Sequence, residues 1–527
     1  MSRGDLSIDQ LLTLLNNKVR HLSTFGNKYE STFVRLDAEL RLTINTIRPV
    51  NRLPPEVLTE IFAFLHPRIL HRYRPLIHAM HVCRHWKNLI SSTPSNWTWI
   101  NPKWAELIPL SLRLSEFAPI EVEVSSIESF SHSSVDVLLP YSERIASFTL
   151  TFSAATRSYY CQIVSGLRCM SNIRMLSIIA EPELTPCWLP ILSGSIPHLE
   201  SITLPFSSYA QQVVQLANLT TVNITVEYSA LTDVVELFAS NPKLRSATLC
   251  GSFRDKSCQR KHGAVRMGSL RQLDLLSWST TSLLPFLSLK KGAHIRVFGP
   301  VSILETVSAW DLSPPDTRFL PNLVGLKQLR WYLMTHNTLM EFTGPNGSLS
   351  ILLPMPEVQA FAIDSFPLGE VEELYCEPSS ASDLAIGTKE LNQIIASMIP
   401  TMNQLRQVTF AMCTNTIIQV VLSNLDRATH LKSITLSHCD HPDPTRDIFR
   451  ALLLFAKGRI SVDAKLEEIR VICRVNAQRT ELLDRMLSKV VKSFVLVRQS
   501  PWEMRRTNIE IQRSFPASIQ KTCALYP

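Results

Sequence analysis

The chain has 527 residues, 45% of them hydrophobic and 19% charged, with only 15 glycines against 32 prolines. Apolar side chains spread along the whole length exclude broad disorder and predict a large folded body, of more than one domain or one long repeat array. A net charge of +8 is too mild for a nucleic-acid-binding protein, which would concentrate a basic stripe, but it favours association with an acidic partner.

Eleven scattered cysteines, an odd number with no Cys-x-x-Cys pair, predict reduced thiols in an intracellular protein, cytoplasmic or nuclear. The stretch "MSRGDLSIDQLLTLL" carries Asp5 and Asp9 among its apolar residues and no small-residue cleavage site, so a secretory signal is not expected. No uninterrupted apolar run reaches about 18 residues, so no membrane span is expected either.

Residues 8–47 fit a heptad, with Ile8, Leu12, Leu15, Val19, Leu22, Tyr29, Phe33, Leu36, Leu40 and Ile47 at its a and d positions and Gly26 and Thr43 as the only breaks. This helix either pairs with another chain or folds back on its own body. Next, "NRLPPEVLTEIFAFLHP" predicts a short helix. Pro55 sits well at its first position, Glu56 complements the positive helix end, and His66-Pro67 stops it. Val57, Leu58, Ile61, Phe62 and Leu65 recur at helical spacing. A second helix reads in "AMHVCRHWKNLISSTP", with Val82, Cys83, Trp86, Leu89 and Ile90 on one face and Pro94 at its end. Two helices this short cannot bury so many large side chains between themselves, and the surplus predicts a further partner surface. Trp97, Trp99 and Trp104 follow as a cluster, expected to join this module to a first strand, "IEVEV" at 120–124.

The segments "RLPPEVLTEIFAFL" and "VCRHWKNLI" resemble the F-box, the small helical module that docks the Skp adaptor of cullin-based ubiquitin ligases. The continuation "TPSNWTWINPKWAELIPLSLRLSEFAPIEVEV", and the heptad helix ahead of "RPVNRLPPE", resemble F-box proteins of mushroom-forming fungi. The resemblance covers roughly residues 48–125. It implies adaptor contacts from Leu53, Pro54, Glu56, Leu58, Ile61, Phe62, Leu65, Val82, Cys83 and Trp86. One departure stands out: the 17 positions from Leu65 to Val82 exceed the family's usual spacing, through the basic insert "HPRILHRYRPLIHAM".

Beyond the module, an apolar-x-x-apolar-x-apolar pattern recurs. Units begin at Ile145, Ile173, Leu199, Leu219, Leu244 and Leu270, 20 to 28 residues apart, and again at Val371, Leu405, Leu431 and Leu466. Helical stretches such as 231–242, 388–400 and 415–426 lie between. Strand then helix at this period predicts a solenoid and resembles leucine-rich repeats. The three apolar residues of each unit are expected inward, and Asn223, Gln272, Asp274, Thr409 and Arg470 are among those expected on the open sheet face. The resemblance's turn residue, an Asn or Cys that bonds backbone, is matched only by Cys413 and Cys439, so the repeats are irregular. Residues 290–365 keep only fragments of the pattern, as an insertion, a kink or the start of a second array would.

No Gly-x-Ser-x-Gly elbow, phosphate-binding Gly-Lys-Ser/Thr loop or His-Glu-x-x-His occurs, so no catalytic residue or cofactor is expected. The crowded "SHCDHPD" at 437–443 and the loose set Cys250, Cys258 and His262 lack metal-ligand spacing. The expected fold is α/β: a helix over 1–47, an all-α F-box over 48–100, an irregular leucine-rich-repeat-like horseshoe over 101–515 and a tail over 516–527. The expected function is a non-catalytic adaptor that joins Skp, and through it a cullin, to a target protein. The alternative is a Skp-binding or coiled-coil scaffold, self-associating through residues 8–47, outside ubiquitin transfer.

Overall fold

A computed structural model of the chain describes residue 38 and residues 48–66, 73–124, 137–152, 170–180, 196–204, 218–226, 230–251, 253, 264–298, 324–333, 337–354, 368–378, 388–411, 413–437, 446–461, 466–473 and 485–498. Apart from Ala38, the expected heptad helix lies outside the described residues, as do Cys258, His262, Cys439 and the expected tail. The fold is mixed α/β, a small helical region followed by a large sheet body, and it divides into two compact units, Met1–Thr151 and Phe152–Pro527.

In the first unit a tight turn, Pro49–Arg52, leads into α1 (Pro55–Ala63). Pro54 is extended, Pro55 opens the helix where no N–H is needed, and Glu56 lies in the first turn. Helices α2 (Arg74–Met80), α3 (Arg84–Ser91) and α4 (Ile108–Leu114) follow. Strand β1 (Trp99–Ile100) pairs in parallel with β2 (Ile120–Val124), and β2 with β3 (Ile145–Phe152). The expected insert supplies α2 from its second half, and Tyr73, Leu76 and Ala79 enter the core from there.

One cluster packs the helices of this unit: Leu58, Phe62, Tyr73, Leu76, Ala79, Ile90, Trp97 and Trp99. At about 1.5–3 kcal/mol for each large apolar side chain, this burial is the main stabilising term of the module. The indoles remain satisfied, Trp97 Nε1 donating to Ile90 O at 2.9 Å and Trp99 Nε1 to Glu123 Oε2 at 2.9 Å. Tyr73 Oη donates to Trp99 O. Trp97 and Trp99 thus tie the helices to the first strands.

The second unit carries β4 (Met175–Ala180), β5 (Ser201–Leu204), β6 (Thr221–Thr225), α5 (Leu231–Ser240), β7 (Ser246–Cys250), β8 (Val265–Met267), β9 (Gln272–Leu275), β10 (Leu287–Leu289) and β11 (Ala293–Val297). There follow β12 (Gln328–Leu333), β13 (Asn337–Gly344), β14 (Gly347–Pro354), β15 (Glu373–Pro378), α6 (Thr388–Met398), β16 (Gln407–Ala411), α7 (Asn415–Asn424), β17 (Ser433–Ser437), α8 (Arg446–Ser461), β18 (Glu468–Cys473) and β19 (Ser493–Arg498). Strands β4, β5, β6, β7, β9 and β11 pair in that order, all parallel, and so do β15 to β19. All three apolar positions of each of the ten sequence units are buried, for example Leu244, Ala247 and Leu249, and Leu431, Ile434 and Leu436.

Between the two parallel runs the chain makes a hairpin. β14 pairs in parallel with β11, β13 is antiparallel to both β14 and β12, and β12 pairs in parallel with β15. The described part of the irregular stretch therefore includes an antiparallel strand, β13, and the strand order reverses locally, β11 meeting β14 and β12 meeting β15. The hairpin's tip needs glycine: a Cβ on Gly344 would overlap the carbonyl oxygen of Gly325, which itself has φ +75. Cys413 makes the backbone bond expected of it, Sγ donating to Cys376 O at 3.2 Å. Asp274, expected on the open face, is instead 9% exposed beneath Arg296, whose Nε lies 2.6 Å from Asp274 Oδ1.

Candidate functional site

Helix α1 has two apolar faces with different fates. Leu58 (0% exposed) and Phe62 (1%) point into the module's own core. Val57 (42%), Ile61 (41%) and Phe64 (73%) point to solvent at i, i+4 and i+7, which stacks them in one stripe. Val82, 51% exposed, lies in the turn between α2 and α3. An aromatic ring and three branched aliphatics left open on one small module form the kind of apolar surface that marks an interaction site.

The ten expected contact residues separate accordingly. Pro54, Glu56, Ile61 and Val82 are exposed. Leu53 and Leu65 are half-buried against the core cluster. Cys83 caps α3, its Sγ accepting from Trp86 N at 3.5 Å. Trp86 meets Phe62 edge-on, ring centroids 5.0 Å apart, and its Nε1 donates to Asn51 Oδ1 at 2.6 Å, which fixes the lead-in turn against α3. Leu58 and Phe62 have no surface to offer a partner in this conformation. The pattern omits Val57 and Phe64, whose signal was their spacing with Ile61.

The surplus apolar face read from sequence is thus only partly a partner surface. Segments outside those two helices, chiefly α2 between them and the Trp97–Trp99 stretch after them, close most of it. The exposed charges of these helices and their lead-in are mainly basic, Arg52, Arg74, Arg84 and Lys87 against Glu56 and Glu60 on α1. Burial pushes the Tyr73 phenol up to about 12, opposed by its hydrogen bond with the Ser111 hydroxyl, so it stays a neutral donor inside the core.

Among the described residues of the second unit, a dense polar group lies on β12, β13 and β15. Glu377, 3% exposed, is raised to about 7 by burial, opposed by the charge of Arg330 and a hydrogen bond from Tyr375. Burial also raises Glu341, and Tyr332 to about 12. Arg330 stacks over the Tyr375 ring, 5.9 Å from its centroid. These groups satisfy one another. Among the described residues no group of three or more His, Cys, Asp or Glu side chains could hold a metal ion, and no helix is long and apolar enough to cross a membrane.

Residues 50–103 match the F-box-like family model. The chain carries an F-box-like domain. The match spans α1, α2, α3, β1 and the start of the segment leading to α4, so it includes the exposed stripe and the core beneath it. No curated protein matches the chain. Among solved structures, the crystal structure of the Rad7 and Elc1 complex in yeast is similar at 13% identity, over 93% of this chain and 95% of that one, with a TM-score of 0.23. That score is too low to inform the architecture of the sheet body.

Proposed function

We propose that this protein is a non-catalytic F-box adaptor that docks a Skp subunit through Val57, Ile61, Phe64 and Val82, with Pro54 and Glu56 at the edge. The observation that carries the reading is the apolar stripe left open on an F-box-like domain whose core is already closed. The excess of exposed basic residues on the same helical segment favours an acidic partner, because complementary charge speeds encounter and fixes orientation.

The sheet body then serves as a leucine-rich-repeat-like platform for a target protein. Its support is the parallel pairing of successive strands and the inward stacking of every apolar triplet. Through Skp a cullin would be recruited, in the cytoplasm or nucleus. The mechanism is proximity: tethering the target raises the effective concentration of its lysines near a charged conjugating enzyme, into the mM range for short links. No nucleophile is required of this chain.

Affinity purification of the full chain, compared with a variant lacking residues 51–95, tests the reading. The wild type should retain Skp and a cullin, and the deletion variant neither. Retention of Skp without cullin or target turnover would favour a scaffold; absence of Skp from the wild type would sink the adaptor reading.

A further inference from the structure

One edge of the second unit's sheet is a row of residues standing just ahead of the strands, joined by backbone bonds. Glu200 N donates to Arg174 O, Thr220 N to Glu200 O, Arg245 N to Thr220 O and Arg271 N to Arg245 O. Beyond the hairpin Glu372 N donates to Lys327 O, Arg406 N to Glu372 O, Lys432 N to Arg406 O and Glu467 N to Lys432 O. Neighbours in such a row stand about 4.8 Å apart, so each charge feels the next.

Along most of the row cations are answered by carboxylates. Arg174 lies 3.9 Å from Glu200, Lys327 2.6 Å and Arg406 3.6 Å from Glu372, and Lys432 3.4 Å and Lys492 3.7 Å from Glu467. Arg245 and Arg271 break the pattern. They are adjacent to each other, and the turn before β11 adds Lys290 and Lys291. All four line one cavity of about 430 Å³ with His294, Gly268 and Gly292, and among the described residues its lining contains no carboxylate. None of the four has an ion pair with any described residue. Arg296, on the same strand as His294, shows the contrast, since Asp274 neutralises it. Gly268 and Gly292 leave the walls open, with nothing within 4 Å of where a Cβ would stand.

Like charges in adjacent register destabilise a sheet unless an anion lies between them. We propose that this cavity binds a phosphoryl dianion, carried by a phosphorylated side chain of a protein segment or by a free phosphate compound. Two guanidinium forks match the oxygens of such a group, and two ammonium groups complete its neutralisation. The site stands independently of the F-box reading.

The test is calorimetric titration of the full chain with inorganic phosphate, pyrophosphate, and a short phosphoserine peptide beside its unphosphorylated twin. The wild type should bind at least one phosphate probe. Arg271→Gln with Lys291→Gln should weaken it on the order of tenfold or more, and in phosphate-free buffer should unfold at no lower a temperature, because a repulsion has been removed. Lys290→Gln with Lys291→Gln, confined to an exposed turn, serves if Arg271 proves necessary for folding. Arg406→Gln, on the same row but ion-paired, should leave binding unchanged. Tighter binding of the phosphopeptide than of pyrophosphate assigns the site to a phosphorylated segment, and the reverse to a free phosphate compound. Failure of the wild type to bind any phosphate probe, equal binding by the turn variant, or equal weakening by Arg406→Gln would overturn the proposal.

Discussion

Replacing Glu377 by Gln should flatten the pH dependence of local stability in β12 and β15. The Glu377 carboxyl titrates at about 7 in the fold against an ordinary 4.5, chiefly because it is buried. Between those two values the folded chain holds a proton that the unfolded chain has released. Stability from this group is therefore complete below about 4.5, falls as pH rises, and is lost above about 7. The ceiling is about 3 kcal/mol at 1.36 kcal/mol per unit, the opposing charge of Arg330 being already contained in the value of about 7; local opening that only partly rehydrates the carboxyl recovers about 1–2 kcal/mol of it. Glu341 on β13, also raised by burial, acts in the same direction, while the Tyr332 phenol, at about 12, stays neutral throughout. Hydrogen exchange of segments 328–333 and 373–378, corrected for intrinsic rates, reads this directly. Wild-type protection should fall on the order of tenfold from pH 5 to pH 8, and that of Glu377→Gln distinctly less. Equal wild-type protection at both values, or an equal fall in the variant, would refute the reasoning.

Arg459 is 1% exposed and donates to the carbonyls of Ala428 (2.6 Å), Thr429 (3.0 Å) and Leu431 (3.1 Å), closing the turn ahead of β17. Arg459→Met strands those carbonyls and should cost about 2–4 kcal/mol in denaturant unfolding of the second unit; an unmoved midpoint would contradict this. In the first unit Leu58→Ala should cost about 2–5 kcal/mol, whereas Phe64→Ser should stay within about 0.5 kcal/mol. Thermal unfolding that ranked them the other way would reverse the assignment of α1's two faces.

The start of α1 was legible because Pro55 and Glu56 act locally. The inward triplets were legible because a strand's period of two leaves little choice once a core is needed. Which apolar face of α1 stays open was not legible. Both faces carry large residues, and the covering side chains Tyr73, Leu76, Trp97 and Trp99 come from later in the chain. The antiparallel β13 was hidden for a similar reason, since its turn into β14 rests on Gly344 and Gly347 rather than on the repeat pattern. The unpaired cations needed register: Arg245, Arg271 and Lys291 are far apart in sequence and become neighbours only through strand pairing. Asp274 read as an exposed strand position because its partner, Arg296, belongs to another strand.

The central claim is that the Val57–Ile61–Phe64 stripe is what a Skp subunit covers. Titration of purified Skp onto the full chain tests it most directly, with Ile61→Glu plus Phe64→Glu beside the wild type. The wild type should bind and the double variant should lose at least tenfold in affinity, as expected when charges are forced into an apolar interface centre, with its unfolding midpoint nearly unchanged. Undiminished binding by the double variant, or no binding by the wild type, would contradict the claim.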